Sequence, residues 1–365
     1  MDKDSISIKS CIFADCKGYW YSMKMKYIKI GIIVFASLLI TTGGIGYYLY
    51  KKITSPINCD NTFSLYIDKH STLESVCNTI SENSNENTAY WINKIFELKK
   101  RKVNRYFGFY KITPQMSAWD IYNILALGDN STATVTFNNI RTKRELADAI
   151  CKNLNMPADS LYTAICNNNV CQSYGFDTVS IVTMFLPDSY NIFKTTSVKS
   201  FLDRMNKEYN SFWNEARLNI AKENGMTPYE ITILASIVEE ETKKTDEMAT
   251  VAGLYINRLK IDMPLQSDPT VKFATGDFSL RRILNKHLEI ESPYNTYKYK
   301  GLPPGPIRIP SKVAIEKSLN YQKSKYIYMC AKEDFSGYHN FATTLREHNN
   351  NAAKYRRELN RRKIK

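Results

Sequence analysis

Residues 227–242 read TPYEITILASIVEEET, and the fold is organised around this stretch. Thr227 followed by Pro228 and, three residues on, Glu230 makes a capping box with proline in the first helical turn, so a helix starts here. Ile231, Leu234, Ala235, Val238 and Thr242 recur at helical spacing and give the helix one apolar face. It ends on three consecutive carboxylates, Glu239, Glu240 and Glu241. At about 100° per residue, Glu240 points away from the apolar face while Glu239 and Glu241 lie on its two flanks. A carboxyl at the edge of a buried face loses solvation, which raises its pKa and suits it to donate a proton. Three adjacent glutamates also read as a solvated surface run, and the helix by itself favours that reading.

The segments that follow change the balance. They are Tyr255-Ile256-Asn257-Arg258-Leu259, Leu265-Gln266-Ser267-Asp268-Pro269-Thr270-Val271, Ser292-Pro293-Tyr294-Asn295-Thr296-Tyr297 and Gly301-Leu302-Pro303-Pro304-Gly305-Pro306-Ile307. In this order, and preceded by Ala235-Ser236-Ile237-Val238-Glu239, they resemble the endolytic murein transglycosylase family, the YceG-like group of membrane-bound lytic transglycosylases. The resemblance is close over the C-terminal part of the chain and looser in its middle.

A chain of 365 residues has room for two or three domains with their own cores. Its net charge of +14 is weighted to the two ends, most densely in Lys354, Arg356, Arg357, Arg361, Arg362, Lys363 and Lys365. Such a balance suits an anionic membrane surface, a polyanionic wall or nucleic acid. No zinc-knuckle spacing or RNP-like aromatic motif occurs, so nucleic acid is not an expected partner. The basic C-terminal run also reads as a solvated helix end.

Residues 1–29 are polar and carry lysines at 3, 9, 17, 24, 26 and 29, and Ile30 to Tyr50 carries no charge at all. That apolar run is long enough to cross a bilayer as a helix. Tyr47, Tyr48 and Tyr50 stand at its far end, where an aromatic belt belongs, before Lys51 and Lys52. The N-terminal lysine excess orients the span with its N-terminus inside. A cleaved signal shares the lysine-rich and apolar pattern, but the run is long for one and no A-x-A site precedes the lysines, so an anchor is expected. This places Cys11 and Cys16 inside and Cys59, Cys77, Cys151, Cys166, Cys171 and Cys330 outside. In an oxidising compartment these six can pair, Cys166 with Cys171 most simply, or remain buried thiols. The four histidines, His70, His287, His339 and His348, are none of them at zinc-site spacing from a cysteine pair, and no metal is expected.

Between the span and the quoted helix the chain alternates strands and helices. Phe63–Ile67 and Arg105–Ile112 read as strands, 73–80 and 91–98 as helices, and Ser117 opens a helix that runs to Leu127 and stops at Gly128. This part is similar to the LysM-like module of the family, whose shallow groove would hold glycan; the tyrosines and Trp119 are either stacking platforms for sugar rings or core. Ala133–Phe137 reads as a further strand, and Thr142 caps a helix carrying Leu146, Ala149, Ile150 and Leu154. Leu186-Pro187-Asp188-Ser189-Tyr190 resembles the family's Pro-Asp-Thr-Tyr segment with serine for threonine. Val198 to Asn224 reads as one long amphipathic helix whose aromatic stripe is core. The expected architecture is therefore α+β. Residues 1–29 form a cytoplasmic tail, 30–50 a transmembrane helix, 53–130 the LysM-like α+β module and 131–365 a mixed α+β catalytic domain.

The resemblance implies a membrane-anchored lyase that cuts nascent peptidoglycan strands internally. A hydrolytic glycosidase sets two carboxyl groups across the scissile bond. A lytic transglycosylase needs only one, because the C6 hydroxyl of the muramic sugar attacks C1 and gives a 1,6-anhydro end, with the advantage of proximity. The resemblance puts this acid–base role on Glu239, although Glu241 flanks the same face and the residues alone do not separate the two. It further implies substrate contacts from Gln266, Asp268, Tyr294, Asn295, Tyr297, Pro303 and Gly305, with His339 of His339-Asn340-Phe341 in support. Each has a structural counterpart: Asp268-Pro269 as a helix start, the tyrosines as packing, the Gly-Pro run as a rigid turn and the histidine as a fold element. Arg281, Arg282 and Lys286 read either as a path for anionic peptide stems or as surface charge. No metal or organic cofactor is implied. The implied partners are peptidoglycan glycan strands, the plasma membrane and peptidoglycan synthases, with the catalytic domain outside. A glycan hydrolase, with Asp268 as second carboxylate, and a non-catalytic wall-binding protein are the alternatives.

Overall fold

The computed structural model describes residues 4–57, 59–280 and 282–362, the side chains of 4–19, 21 and 22 excepted. The side chains of Lys3, Lys9, Cys11, Cys16, Lys17, Arg281, Lys363 and Lys365 therefore lie outside the described residues. The chain divides into two compact units, one of residues 1–106 and 111–128, the other of 107–110 and 129–365.

The first unit begins with a long helix, α1 (Asp4–Thr54), whose part from Met23 to Thr54 is long and apolar enough to cross a membrane. The charge-free run 30–50 lies inside that part. The chain continues with β1 (Phe63–Ile67), α2 (Leu73–Asn83), α3 (Glu86–Lys99), a single 3-10 turn over Val103–Arg105, β2 (Gly108–Ile112), whose first three residues are counted with the second unit, and α4 (Ala118–Leu127). Thr72 and Ser117 close capping boxes with Ser75 and Asp120, which explains where α2 and α4 start. The strand expected over Arg105–Ile112 is shortened, because the turn at Val103–Arg105 takes up its first residue. Ile80, Ile92, Ile121 and Leu125 are fully buried, and Phe96 meets Tyr122 edge-on at 4.9 Å between ring centres.

The second unit goes on with β3 (Thr132–Thr136), α5 (Lys143–Cys151), α6 (Ala158–Cys166), α7 (Asn168–Ser173) and β4 (Ser189–Phe193). Strands β3 and β4 are antiparallel, Thr132 opposite Phe193 and Thr136 opposite Ser189. The helix expected to carry Leu154 ends at Cys151. Then come α8 (Val198–Phe212) and α9 (Glu215–Glu223) where one helix was expected. Asn214 explains the break: its side chain accepts a hydrogen bond from the Arg217 N–H and starts a new helix, leaving Trp213 outside helical geometry. A first core gathers around Leu146, Ile150, Leu161, Phe185, Phe201 and Met205.

The rest of the unit is built on α10 (Pro228–Glu241), α11 (Met248–Lys260), α12 (Asp268–Thr275), α13 (Asn285–Leu288), α14 (Lys312–Leu319), the antiparallel hairpin β5 (Tyr328–Ala331) and β6 (His339–Ala342), and α15 (Leu345–Arg361). Thr227 and Glu230 form the capping box with Pro228 in the first turn, and the middle of the helix goes beyond a single apolar face. Every residue from Ile231 to Val238 is buried, so α10 is enclosed on all sides, as a helix apolar all round must be. Ser236 is tolerated there because it donates to the Ile233 carbonyl and accepts from the Ile307 N–H. The basic residues of α15 are largely solvated, with Glu358 bound to Arg361 and Arg362. The six cysteines whose side chains are described, Cys166 and Cys171 included, are free thiols.

Helix α11 packs so closely on the chain after α14 that Gly253 has no room for a side chain. A Cβ there would stand 2.2 Å from the Gln322 carbonyl oxygen, while Gln322 donates its N–H to Ala249 one turn away. Gly253→Ala is therefore expected to destabilise the protein by about 1–3 kcal/mol despite alanine's better helix propensity. Chemical denaturation measures it; a stabilised variant would contradict the close approach.

Candidate active site

The three glutamates at the end of α10 have three different environments. A helix C-terminus repels negative charge, so each carboxylate there needs a partner or must give up its charge. Glu240, expected to face solvent, accepts hydrogen bonds from Arg141 Nη2 and Arg308 Nη1, both at 2.8 Å. Glu239 accepts from the Ser311 N–H at 3.1 Å and lies 3.3 Å from Arg308 Nε. These two belong to a charge network that ties α10 to the segment entering α14.

Glu241 turns the other way. Its Oε1 accepts from the Tyr255 hydroxyl at 2.7 Å and from the Ser267 hydroxyl, while Oε2 has no hydrogen-bond partner among the described residues. Burial raises the pKa of this carboxyl; the Ser267 and Tyr255 bonds and His339 pull it back in part, and Asp268 pushes it up again. Glu241 opens on a cleft of about 220 Å³ that Gln266, Asp268, Tyr297 and His339 also line.

The local chain explains how these four meet. Gln266 has a left-handed backbone, φ 49°, which turns its exposed side chain outward; this conformation costs a non-glycine residue roughly 1–3 kcal/mol. The Gln266 N–H donates to the Thr296 carbonyl, and Ser267 N–H donates to Thr296 Oγ1. Two separate sequence motifs are thereby joined. Asp268 does start α12, with Pro269 behind it, and also accepts from the Tyr297 hydroxyl at 2.7 Å. Burial, then the bond to Asp268, pushes the Tyr297 phenol well above its ordinary range. Buried Arg258 holds the cleft wall by donating to the Leu265 and Ile327 carbonyls. His339 stands at the start of β6 with both its N–H and its ring Nδ1 on the Glu247 carboxylate.

The remaining expected residues lie elsewhere. Glu239 is outside this cleft. Asn295, expected to donate to a substrate, is wholly buried: its amide donates to the Leu288 and Ile290 carbonyls and its oxygen accepts from the Tyr297 N–H. Its role is therefore to shape the loop that presents Tyr297. Tyr294 packs 4.7 Å from the Phe273 ring. Pro303 lines a different and larger cavity, about 680 Å³, beside Tyr229, Lys260 and Leu302. Gly305 is buried where a Cβ would meet Val179 at 2.8 Å and the Tyr294 hydroxyl at 2.9 Å. Arg282 and Lys286 are exposed. Tyr255, Ser267, Arg258 and Glu247 escaped the sequence reading as site residues. Ser267 sits inside a quoted motif, whereas Glu247 lies in a polar stretch with no motif to mark it.

Comparison with known proteins identifies the family. Residues 65–354 match the model of the YceG-like family. The chain is 39% identical over 160 residues to an endolytic murein transglycosylase of Bacillus subtilis (strain 168), covering 44% of this chain and 43% of that one. It is 34% identical over 177 residues to an endolytic murein transglycosylase of Streptococcus pneumoniae serotype 2, covering 46% of this chain and 31% of that one. The chain thus matches less than half the length of these curated relatives. A crystal structure of a YceG-like protein from Listeria monocytogenes shares the fold, with a TM-score of 0.52 at 23% identity over 79% of this chain and 98% of that one. On a family match that runs through both units and across the whole cleft, the chain belongs to the YceG-like family.

Proposed function

We propose that this protein is a membrane-anchored endolytic lytic transglycosylase of peptidoglycan, with Glu241 as its general acid. The observation that carries the reading is a carboxyl with raised pKa that lines a cleft together with Gln266, Asp268, Tyr297 and His339. Glu241 gives its proton to the glycosidic oxygen as the bond to C1 breaks, and the C6 hydroxyl of the same sugar closes on C1 to leave a 1,6-anhydromuramyl end. Gln266, Asp268 and Tyr297 are placed to bind the sugar's hydroxyl and acetamido groups. Lys24, Lys26 and Lys29 ahead of the charge-free run 30–50 favour an N-terminus inside and a catalytic unit outside. The exposed rings of Tyr90 and Trp119 suit a LysM-like module that holds glycan. A cutter tethered at the membrane would limit the length of growing strands beside the synthases that make them.

Mass spectrometry of glycan strands incubated with the full-length chain in detergent tests the reading. Anhydro ends are expected. One observation favours hydrolysis as the second reading: Asp268 lies in the same cleft as Glu241, as a second carboxylate would. Reducing ends in place of anhydro ends would establish it.

The Tyr255 hydroxyl stabilises the Glu241 carboxylate and so lowers its pKa. Tyr255→Phe removes that bond, holds the proton more tightly and moves the alkaline limb of the pH–rate profile to higher pH. An unmoved limb would mean that Glu241 is not the acid.

A further inference from the structure

We propose that His339 and Glu247 form a carboxylate–imidazole dyad that removes the proton from the attacking C6 hydroxyl, with His339 as a second catalytic residue and Glu247 as the residue that positions it. The inference rests on the transglycosylase reading of the same cleft and adds a separate base to it.

Glu247 occupies the N-cap position of α11, yet its side chain makes no capping bond there. It is 6% exposed, and a carboxylate buried to that degree is costly unless its oxygens are fully matched. Both are matched by one residue far along the chain: Oε1 accepts from the His339 N–H at 2.7 Å and Oε2 from the His339 ring at Nδ1, 2.8 Å. An ionised carboxylate can only accept, so Nδ1 carries the proton in the neutral ring and Nε2 keeps a lone pair. With Nδ1 turned to Glu247, Nε2 is the nitrogen left for the cleft that His339 lines with Glu241. The neighbouring pair repeats the attachment, since the Tyr338 hydroxyl donates to Asp246 at 3.0 Å and Lys244 sits over the Tyr338 ring. The loop between the acid's helix and α11 thus holds the first residue of β6 in a fixed orientation.

The titratable groups that line the cleft with the ring, or bond to it, divide by element. Glu241 comes from α10, Glu247 from the loop after it, Tyr255 and Arg258 from α11, Asp268 from α12, and Cys330 from β5, with Tyr297 on the loop between α13 and α14. Among them the neutral imidazole supplies a basic nitrogen lone pair at Nε2.

The step balances with these two groups alone. The C1–O4 bond breaks with its electron pair going to O4, which takes the Glu241 proton. An O6 lone pair forms the C1–O6 bond, and the O6 proton passes to His339 Nε2. The resulting imidazolium stands beside the Glu241 carboxylate, and return of its proton to that carboxylate restores both groups.

The test compares full-length wild type with His339→Asn, His339→Ala, Glu247→Gln and Glu241→Gln, following anhydro ends across pH. His339→Asn is expected to lower kcat by roughly 100-fold or more with KM little changed, and to lose one limb of the profile. In Glu247→Gln the amide cannot accept at both contacts, so the ring is free to take the other tautomer; kcat is expected to fall by roughly 10-fold or more. Added imidazole is expected to restore turnover in His339→Ala and not in Glu241→Gln, which separates a missing base from a damaged fold. An inactive Glu241→Gln beside a His339→Asn that keeps wild-type kcat and both limbs would overturn the dyad and leave the acid standing. So would a His339→Ala that imidazole does not restore. Full activity in Glu241→Gln would instead remove the underlying reading, and the dyad with it.

Discussion

Glu241→Gln will lower the formation of anhydro ends by roughly 10²–10⁴-fold, the usual contribution of a positioned general acid. Glutamine keeps an acceptor for the Tyr255 and Ser267 hydroxyls, so the side chain stays in place and only the transferable proton is lost. Glu239→Gln will leave kcat within a few-fold of wild type, because Glu239 meets Arg308 and Ser311 rather than the cleft. The reverse pattern would return the acid to Glu239. Stability gives an independent check. The folded-state pKa of Glu241 is raised by burial, so the folded chain holds this proton more tightly than the unfolded one. The stability this group contributes is present below the ordinary glutamate value near ~4.3 and is lost as pH rises through the folded value. A glutamine has no proton to lose. The variant should therefore match wild type in acid and be at least as stable above the folded value, as thermal unfolding at the two pH extremes will measure. An inactive variant that is also unfolded would carry no information about the acid, and this sign separates the two cases.

Much of this site's scaffold was legible in the residues, because capping is a local matter. Thr227, Pro228 and Glu230 announce α10 at its observed start. The same local rule accounts for the break in the long amphipathic run: Asn214 is a capping residue, and it divides α8 from α9. What stayed hidden depends on partners distant in sequence. Helical spacing relates Glu239, Glu240 and Glu241 to their own axis only. Arg308 and Ser311 hold Glu239 on one side, while Tyr255 and Ser267 hold Glu241 on the other, where burial raises its pKa. Asn295 illustrates the same point, since the carbonyls that engage its amide belong to a loop with no recognisable signature. Glu247 is hidden for the opposite reason. Its stretch is polar, and burial of a polar residue becomes visible only when the hairpin that covers it is in place.

Arg308→Ala will lower the stability of the second unit by about 3–5 kcal/mol, the usual result of removing one partner from a buried charge pair. For a unit of this size that corresponds to a fall of roughly 6–20 °C in Tm. The Arg308 side chain is 7% exposed, and the Glu239 and Glu240 side chains beside it are 14% and 16% exposed. Its loss leaves Glu239 with the Ser311 N–H alone and Glu240 with Arg141 alone, at a helix end whose dipole already repels them. Arg141→Ala will cost less, because its side chain is 24% exposed and Glu240 keeps Arg308. Replacing both carboxylates as well, in Arg308→Met with Glu239→Gln and Glu240→Gln, should recover much of the loss, since no uncompensated charge then remains buried. Additive losses across that series would mean that the three residues act separately. The network also has a functional consequence. The segment around Arg308 is fixed to α10 through Ile307 and Ser236 and to the first core through Ile309 and the Ile140 carbonyl, so the last turn of α10 is held from the side opposite the cleft. Loosening that turn moves Glu241 relative to Tyr255 and Ser267. Arg308→Ala should accordingly lose activity well below its unfolding temperature, while Arg308→Lys, which keeps the charge but not the fork that reaches both glutamates, should fall between it and wild type.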